Sequence, residues 1–258
     1  MFAVNGPVEG NMVYPTNTPW PPISIRDTEA RLGLERLVVI NDFVAQALAV
    51  PGLAESERVQ LGPGEPLPGR AIGVIGPGTG LGVGGLLPTD LGWLPIPSEG
   101  GHISCAAHDA YEAQILEHLW ARFGHVSNER LLAGPGLVNL AVAIAELDGV
   151  SLAGLEPKDV EQRARAGACA HSIAAIRLYS KLLGAAAGDV ALMFLARGGV
   201  FIGGGVVPHL GELFDIGLFR EGFEGKGRLA IVLRQIPTYL VTAGDTGLRG
   251  SAACPIHL

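Results

Sequence analysis

The chain has 258 residues, enough to bury the core of one large domain or two small ones. It carries 18 basic and 25 acidic residues, a net charge of −7, which argues against a nucleic-acid-binding surface. A hydrophobic share of 48% together with 38 glycines is typical of tightly wound α/β proteins.

The N-terminal segment lacks the basic region of a secretory signal. Residues 2–4 and 12–14 are predicted as strands joined by a turn. Because a domain seldom opens in mid-sheet, we expect a further segment upstream of Met1. The polar loop at residues 16–20 contains Asn17 and is of a kind that can face a ligand. Taken alone, an ordinary turn is its simpler interpretation.

An Asn-Asp pair follows the first strongly apolar run of the chain. Residues 36–40 predict a buried parallel strand, and residues 44–49 a helix. Asp42 therefore lies at the carboxyl end of a parallel strand, where open α/β sheets bind ligands. The alternative is that Asp42 only caps the following helix.

A glycine-rich hairpin is predicted at residues 75–85, Ile-Gly-Pro-Gly-Thr-Gly-Leu-Gly-Val-Gly-Gly. Its backbone N–H groups and the Thr79 hydroxyl could hold phosphate oxygens, or the glycines could serve tight turns alone. The letters G-x-G-x-x-G occur in it, but no helix opens there, and no Gly-Lys-Ser/Thr of a Walker loop is present.

Polar side chains recur at residues 98–102 and 127–130, after a loop that bears Trp93. Glu99 and His102 are separated by two glycines, a pattern suited to hydrogen bonds with the hydroxyls of a small polar ligand. A metal site is the weaker interpretation, because no further ligand has suitable spacing. Ser127 is predicted to cap a short helix, and the helix dipole alone would explain Glu129 in its first turn.

A helix is predicted over residues 168–183, followed by apolar runs at 190–195 and 199–202. Asp189 and Arg197 bracket the most apolar stretch, so no membrane span is expected. Residues 199–208 predict a strand, a turn at Gly203 and Gly204, and a helix with Pro208 in its first position. Such a turn either binds a nucleotide or serves strand-to-helix packing.

The three cysteines are too far apart for a C-x-x-C motif, which favours buried thiols in a reducing cytoplasm. Near the C-terminus, the small residues at 247–252 are suited to close helix packing and to a hinge between lobes.

Taken in order, six segments resemble the bacterial glucokinases of the hexokinase/actin-like ATPase superfamily. They lie at residues 41–42, 76–82, 98–102, 126–130, 134–139 and 198–208. The resemblance implies an α/β, two-lobed actin-like ATPase (ribonuclease H-like) fold with its active site between the lobes. Residues 1–52 and 243–258 would form the small lobe, and residues 53–242 the large lobe. A cytoplasmic homodimer is also implied.

The resemblance also implies residue roles. Asp42 would be the general base that takes the proton of the 6-hydroxyl of glucose. The sugar-binding residues would be Asn17, Asn41, Asp42, Glu99, His102 and Glu129. The nucleotide-binding residues would be Gly78, Thr79, Gly80, Gly203 and Gly204. The substrates would be glucose and ATP, with Mg²⁺ bound through the ATP phosphates and no metal site on the protein.

The resemblance departs at the front of the chain. The family opens with an Asp-x-Gly-Gly-Thr phosphate loop, which has no match in these residues. We therefore expect an incomplete small N-terminal lobe. Two alternatives to a glucokinase stay open: a non-catalytic sugar-binding or regulatory relative, and a kinase for another hexose or amino sugar.

Overall fold

The computed structural model describes residues 1–4, 6–15 and 18–254. The predicted sugar ligand Asn17 lies outside the described residues. Strands lie at β1 Phe2–Val4, β2 Val8–Glu9, β3 Met12–Val13, β4 Ile23–Ser24, β5 Val39–Asn41, β6 Arg58–Gln60, β7 Ile72–Pro77, β8 Leu81–Thr89, β9 Gly92–Ser98, β10 Val200–Ile202 and β11 Thr238–Val241.

Helices occupy most of the second half of the described chain. They lie at α1 Ile25–Leu32, α2 Asp42–Ala49, α3 Ala110–Phe123, α4 Asn128–Leu132, α5 Gly134–Leu147, α6 Pro157–Arg165, α7 Ala170–Phe194, α8 Val206–Leu210, α9 Ile216–Glu224, α10 Ala230–Leu233 and α11 Thr246–Ala253. In the part of the chain that the structure describes, no helix is long and apolar enough to cross a membrane.

The main sheet has six strands in the order β6-β11-β10-β7-β8-β9. Strands β7, β10 and β11 are parallel, and β7, β8 and β9 form an antiparallel meander, which confirms the predicted hairpin. Strands β1 and β5 pair in parallel as a second sheet, and β2, β3 and β4 form a third.

The two faces of the main sheet carry separate hydrophobic clusters. Because side chains alternate along a strand, Ile72 and Val74 of β7 point to a cluster that includes α2, while Ile75 points to one that includes α7. Helix α11 covers α2 closely, since a Cβ on Gly250 would overlap the carbonyl of Ala45. The division into a lobe of residues 1–52 with 243–258 and a lobe of residues 53–242 stays a prediction. Helix α2 belongs to the first of these lobes and shares a hydrophobic core with strands of the main sheet, which belong to the second.

The prediction that a helix ends at Leu183 is wrong, because α7 continues to Phe194. Small residues allow it to pack closely on α9: a Cβ on Gly184 would overlap the carbonyl of Phe219, and one on Gly188 would crowd that of Phe223. An alanine-rich apolar run is compatible with either type of element, so periodicity did not identify this helical extension.

Three smaller predictions also need correction. Trp93 lies not in a loop but in β9, an edge strand that tolerates Pro95 and Pro97 because its outer side needs no N–H donors. Cys169 is only partly buried, unlike Cys105 and Cys254. Pro208 is the third residue of α8, not the first, and still lies in the turn whose N–H groups lack intrahelical acceptors.

Candidate active site

Asn41 and Asp42 stand where β5 ends and α2 begins. Asn41 is the N-cap of α2: its Oδ1 accepts from the backbone N–H of Phe43 at 2.8 Å and of Val44 at 3.2 Å. Its Nδ2 donates to the carbonyl of Gly6 at 3.2 Å. The alternative that Asp42 serves only as the cap is therefore wrong. Asp42 is the first residue of the helix and is half-buried, and the Asn41 amide joins this first turn to the carbonyl of Gly6.

The glycine-rich hairpin turns at Gly78, Thr79 and Gly80. The N–H of Gly78 donates to the carbonyl of Gly80 at 2.8 Å, and the carbonyl of Gly78 accepts from the N–H of Gly134 at 2.9 Å. The turn is thereby fixed both internally and to the start of α5, while Thr79 is exposed.

Glu129 joins this hairpin to α4. Ser127 caps α4 as predicted, accepting from the N–H of Arg130 at 3.3 Å. Glu129 Oε2 accepts from the N–H of Leu81 at 2.9 Å, and a Cβ on Gly80 would come within 2.6 Å of the same oxygen. The helix dipole alone thus does not account for Glu129, because its carboxylate is a structural contact of the hairpin.

Glu99 and His102 lie beside Glu129, at either end of a short 3-10 turn, Gly100–His102. His102 Nε2 is 3.9 Å from Glu99 Oε2, and His102 Nδ1 is 3.9 Å from Glu129 Oε1. A Cβ on Gly101 would overlap the carbonyl of Leu81, so the turn rests on β8. Within the described ranges, no group of three or more His, Cys, Asp or Glu side chains could hold a metal ion.

The turn at Gly203 and Gly204 contacts the other strand of the hairpin. The N–H of Gly203 donates to the carbonyl of Ile75 at 2.8 Å. Gly204 has a φ of 76°, and a Cβ there would overlap the carbonyl of Pro77. The two segments predicted to bind the nucleotide are therefore in direct contact.

Four segments that carry predicted residues of the described chain thus contact one hairpin: α2 through Phe43, the Gly100–His102 turn, Glu129 of α4 and the Gly203–Gly204 turn. Sequence reasoning missed two groups in this arrangement, the Leu81 N–H and the Phe43 ring. The ring lies against Gly76 and Gly82, where a Cβ on either glycine would overlap it. Glycines at the alternate positions 82 and 84 of β8 were the available signal, since they leave part of one face of the strand without side chains.

Comparison with known proteins agrees with this geometry. A family model described as Glucokinase matches residues 1–257. The chain is 46% identical over 251 residues to a glucokinase of Aromatoleum aromaticum, covering 97% of this chain and 76% of that protein. The chain belongs to the glucokinase family. The resemblance found in the six segments is confirmed, and glucokinases are ATP-dependent kinases that phosphorylate glucose.

Solved structures of glucokinases share the fold. A glucokinase from an Antarctic psychrotroph superposes with a TM-score of 0.88 at 36% identity, covering 98% of this chain and 78% of that one. A glucokinase from Balamuthia mandrillaris in complex with glucose has a TM-score of 0.79 at 21% identity, covering 96% and 75%. At that lower identity the likeness concerns the fold. The predicted actin-like ATPase fold is confirmed.

Proposed function

We propose that this glucokinase transfers the γ-phosphate of ATP to the 6-hydroxyl of glucose, with Asp42 as the general base. One observation supports the assignment most: the segment carrying Asp42, the Glu99–His102–Glu129 group and the Gly203–Gly204 turn all contact the same glycine-rich hairpin. Base, sugar ligands and phosphate ligands converge in this way when one small site must hold two substrates.

Asp42 acts on the nucleophile. Its carboxylate accepts the proton of the 6-hydroxyl as that oxygen bonds to the γ-phosphorus, and the bond from phosphorus to the bridging oxygen of ADP breaks. In phosphoryl transfer most catalysis is positioning and charge stabilisation, so the placement of Asp42 matters as much as its basicity. The Asn41 cap supplies that placement by fixing the first turn of α2.

The remaining sugar ligands are proposed to be Asn17, Asn41, Glu99, His102 and Glu129. Carboxylates and an imidazole pair with sugar hydroxyls, and they select a sugar because a missing or inverted hydroxyl leaves them unpaired. Glu99 and His102 have exposed side chains, and Glu129 is partly buried beneath them. This arrangement presents polar groups to a ligand from one side.

Gly78, Thr79, Gly80, Gly203 and Gly204 are proposed to bind ATP. A Cβ on Gly78 would meet nothing within 4 Å, and one on Gly203 only Gln46 at 3.8 Å. Protein packing therefore does not demand glycine at these two positions, which is consistent with close approach by a ligand. Bound through the phosphates, Mg²⁺ would neutralise the charge that develops on them.

Three further assignments belong to this proposal: the two-lobe division, the cytoplasmic location and the homodimer that the family resemblance implies. Sedimentation velocity at several protein concentrations tests the dimer. A single species of monomer mass at all of them would contradict it.

A coupled assay with glucose and ATP tests the function, comparing Asp42→Asn with the control Asp90→Asn in an exposed turn. We expect D42N to lower kcat by a factor of about 10² to 10⁴ and D90N to leave it unchanged. Full activity in D42N would contradict the assignment of the base. Glucose binding by calorimetry without turnover in the wild type would favour the non-catalytic alternative, and a higher kcat/KM for another hexose or an amino sugar would change the substrate.

A further inference from the structure

We propose that Phe43 is a positioning residue that sets Asp42 against the phosphate-binding hairpin, and that Gly76 and Gly82 exist to seat its ring. The inference rests on the proposed role of Asp42 and deepens it. It concerns a residue that contacts neither the sugar nor the nucleotide in that proposal.

The seat is a notch in one face of the main sheet. On the face that α2 covers, residues of β7 and β8 lie opposite each other in three pairs: Ile72 with Leu86, Val74 with Gly84, and Gly76 with Gly82. The pair Ile72 and Leu86 fills this face with large side chains. At the other end the pair Gly76 and Gly82 leaves it empty, and the Phe43 ring occupies the space.

Contact between ring and glycines is close enough to exclude any side chain. A Cβ on Gly76 would lie 3.2 Å from Cζ of Phe43 and would overlap Cε2. A Cβ on Gly82 would lie 2.7 Å from Cε2 and would overlap Cδ2 and Cγ. Gly84 borders the notch, with Cδ1 3.9 Å from the position of its Cβ.

Phe43 directly follows Asp42, so a seated ring fixes the base. The N–H of Phe43 donates to Asn41 Oδ1, which ties the same residue to the cap. Ring and cap together hold the first turn of α2 at two points. Because Gly76 and Gly82 flank the Gly78–Gly80 turn, the distance from Asp42 to the phosphate-binding backbone is set through Phe43.

The simpler view is that Phe43 only fills the core. Its ring is partly buried and packs against the cluster that includes Leu48 and Val74. A core filler, however, needs no glycines beneath it, and glycine in a strand interior weakens the strand. Gly76 and Gly82 lie directly opposite each other and both contact one ring. We explain them by a need for the Phe43 ring to lie close to the backbone of the two strands.

The test compares Phe43→Leu with Phe201→Leu, a control in the same cluster whose ring is 2% exposed and stacks on Tyr239. Both remove a ring from that core. We expect F43L to lower kcat about 10- to 100-fold with KM for glucose and ATP within about threefold, because a misplacement of the order of 1 Å costs about 10²-fold. F201L should keep the wild-type kcat at a similar loss in Tm.

Gly82→Ala provides a second, independent variant that displaces the ring without removing it. We expect it to lower kcat as F43L does, and to lower it no further when combined with Phe43→Ala, because the overlap is then gone. Should F43L fail to fold, the comparison of G82A alone with G82A in the F43A background decides the matter.

Two results would overturn the inference: a kcat of F43L within twofold of that of F201L, or an equal effect of G82A with and without the Phe43 ring. Asp42→Asn is assayed in the same series. If D42N were fully active, the proposed base itself would be wrong. If D42N were inactive while F43L kept its kcat, the proposed role of Phe43 alone would be wrong.

Discussion

The Glu129 carboxylate accepts a 2.9 Å hydrogen bond from the N–H of Leu81, the first residue of β8. A predicted sugar ligand thereby also fixes the strand that leaves the proposed phosphate-binding turn. In the proposed function the sugar site and the nucleotide site share this group, so we expect the binding free energies of glucose and ATP to be coupled reciprocally.

Glu129→Ala should lower kcat/KM for glucose about 10- to 100-fold, since hydrogen bonds to a charged group contribute about 1.5–3 kcal/mol. It should also weaken ATP binding, because the Leu81 N–H loses its acceptor. Glu129→Gln keeps an acceptor oxygen and should restore ATP binding but not glucose binding. Calorimetry of each ligand in the presence and absence of the other measures this. Unchanged ATP affinity in E129A would rule out the coupling.

Gly204→Ala should raise KM for ATP at least about tenfold, because its Cβ would overlap the Pro77 carbonyl and shift the turn. Gly211→Ala is the matched control, also at positive φ, 53°, but with no atom within 4 Å of the added carbon. G211A should lose about 1–3 kcal/mol of stability, because its φ and ψ of 53° and −121° are unfavourable for residues with a Cβ, with an unchanged KM for ATP. Equal values of KM in the two variants would remove the argument for contact at Gly204.

Asn41→Ala should destabilise the protein by about 1 kcal/mol through loss of the α2 cap. Asn41→Asp can still cap and should recover most of that stability. If Asn41 is also a sugar ligand, N41D keeps a raised KM for glucose even though its Tm recovers. A KM that recovers together with Tm would limit Asn41 to the cap.

Local chemistry explains which features the sequence could predict. The hairpin was predictable because six glycines after an apolar run leave few other conformations, and the Ser127 cap because capping depends on neighbouring residues. Sequence reasoning considered only Asp42 as the cap of α2, whereas the structure gives that role to Asn41. The Asn41 side chain also donates to the carbonyl of Gly6, a contact between distant parts of the chain that carries no local signal.

Features that depend on distant contacts were not predictable. Residues 185–194 are compatible with a helix or a strand, and packing of Gly184 and Gly188 on α9 decides for the helix. The Leu81 N–H carries no sequence signal, because every residue except proline has one. Phe43 resembles any apolar residue of an amphipathic helix until the glycines opposite it are placed.

Cys169 should be the reactive thiol of the chain. The polar groups nearest its sulfur, first the Ser172 hydroxyl and then the His171 side chain and the backbone N–H groups at the start of α7, outweigh burial and lower the pKa of this partly buried thiol to about 7. Burial raises the pKa of Cys105 to about 12. Iodoacetamide labelling of Cys169, followed by mass spectrometry, should rise with a midpoint near pH 7 while Cys105 stays unlabelled. A midpoint above pH 8 at Cys169 would contradict the assigned cause.

Lys181 joins α7 to α3 through a largely buried ion pair. Its Nζ lies 2.8 Å from Glu112 Oε1 and 2.9 Å from Asp109 Oδ2, and Glu112 is 3% exposed. Lys181→Met leaves that buried carboxylate with His108 as its remaining side-chain partner. We expect a loss of about 2–3 kcal/mol at pH 7, below the value for a fully buried pair because water reaches Lys181. Lys158→Met, which removes an exposed pair with Glu156, is the control and should leave the midpoint of urea unfolding nearly unchanged.

The pH dependence of this loss follows from the direction of the pKa shift. Burial would raise the pKa of Glu112, but hydrogen bonds with His108 and the ion pair with Lys181 outweigh it and hold the pKa below its ordinary value of 4.5. The stabilisation is therefore complete above about pH 4.5 and is lost as the pH falls through the lower folded-state pKa. The wild type loses this stabilisation in acid. The difference in free energy of unfolding between the wild type and K181M should therefore shrink below about pH 4. Urea unfolding of both proteins from pH 7 to pH 3 measures this, and a constant difference would show that Glu112 does not titrate in the folded state as assigned.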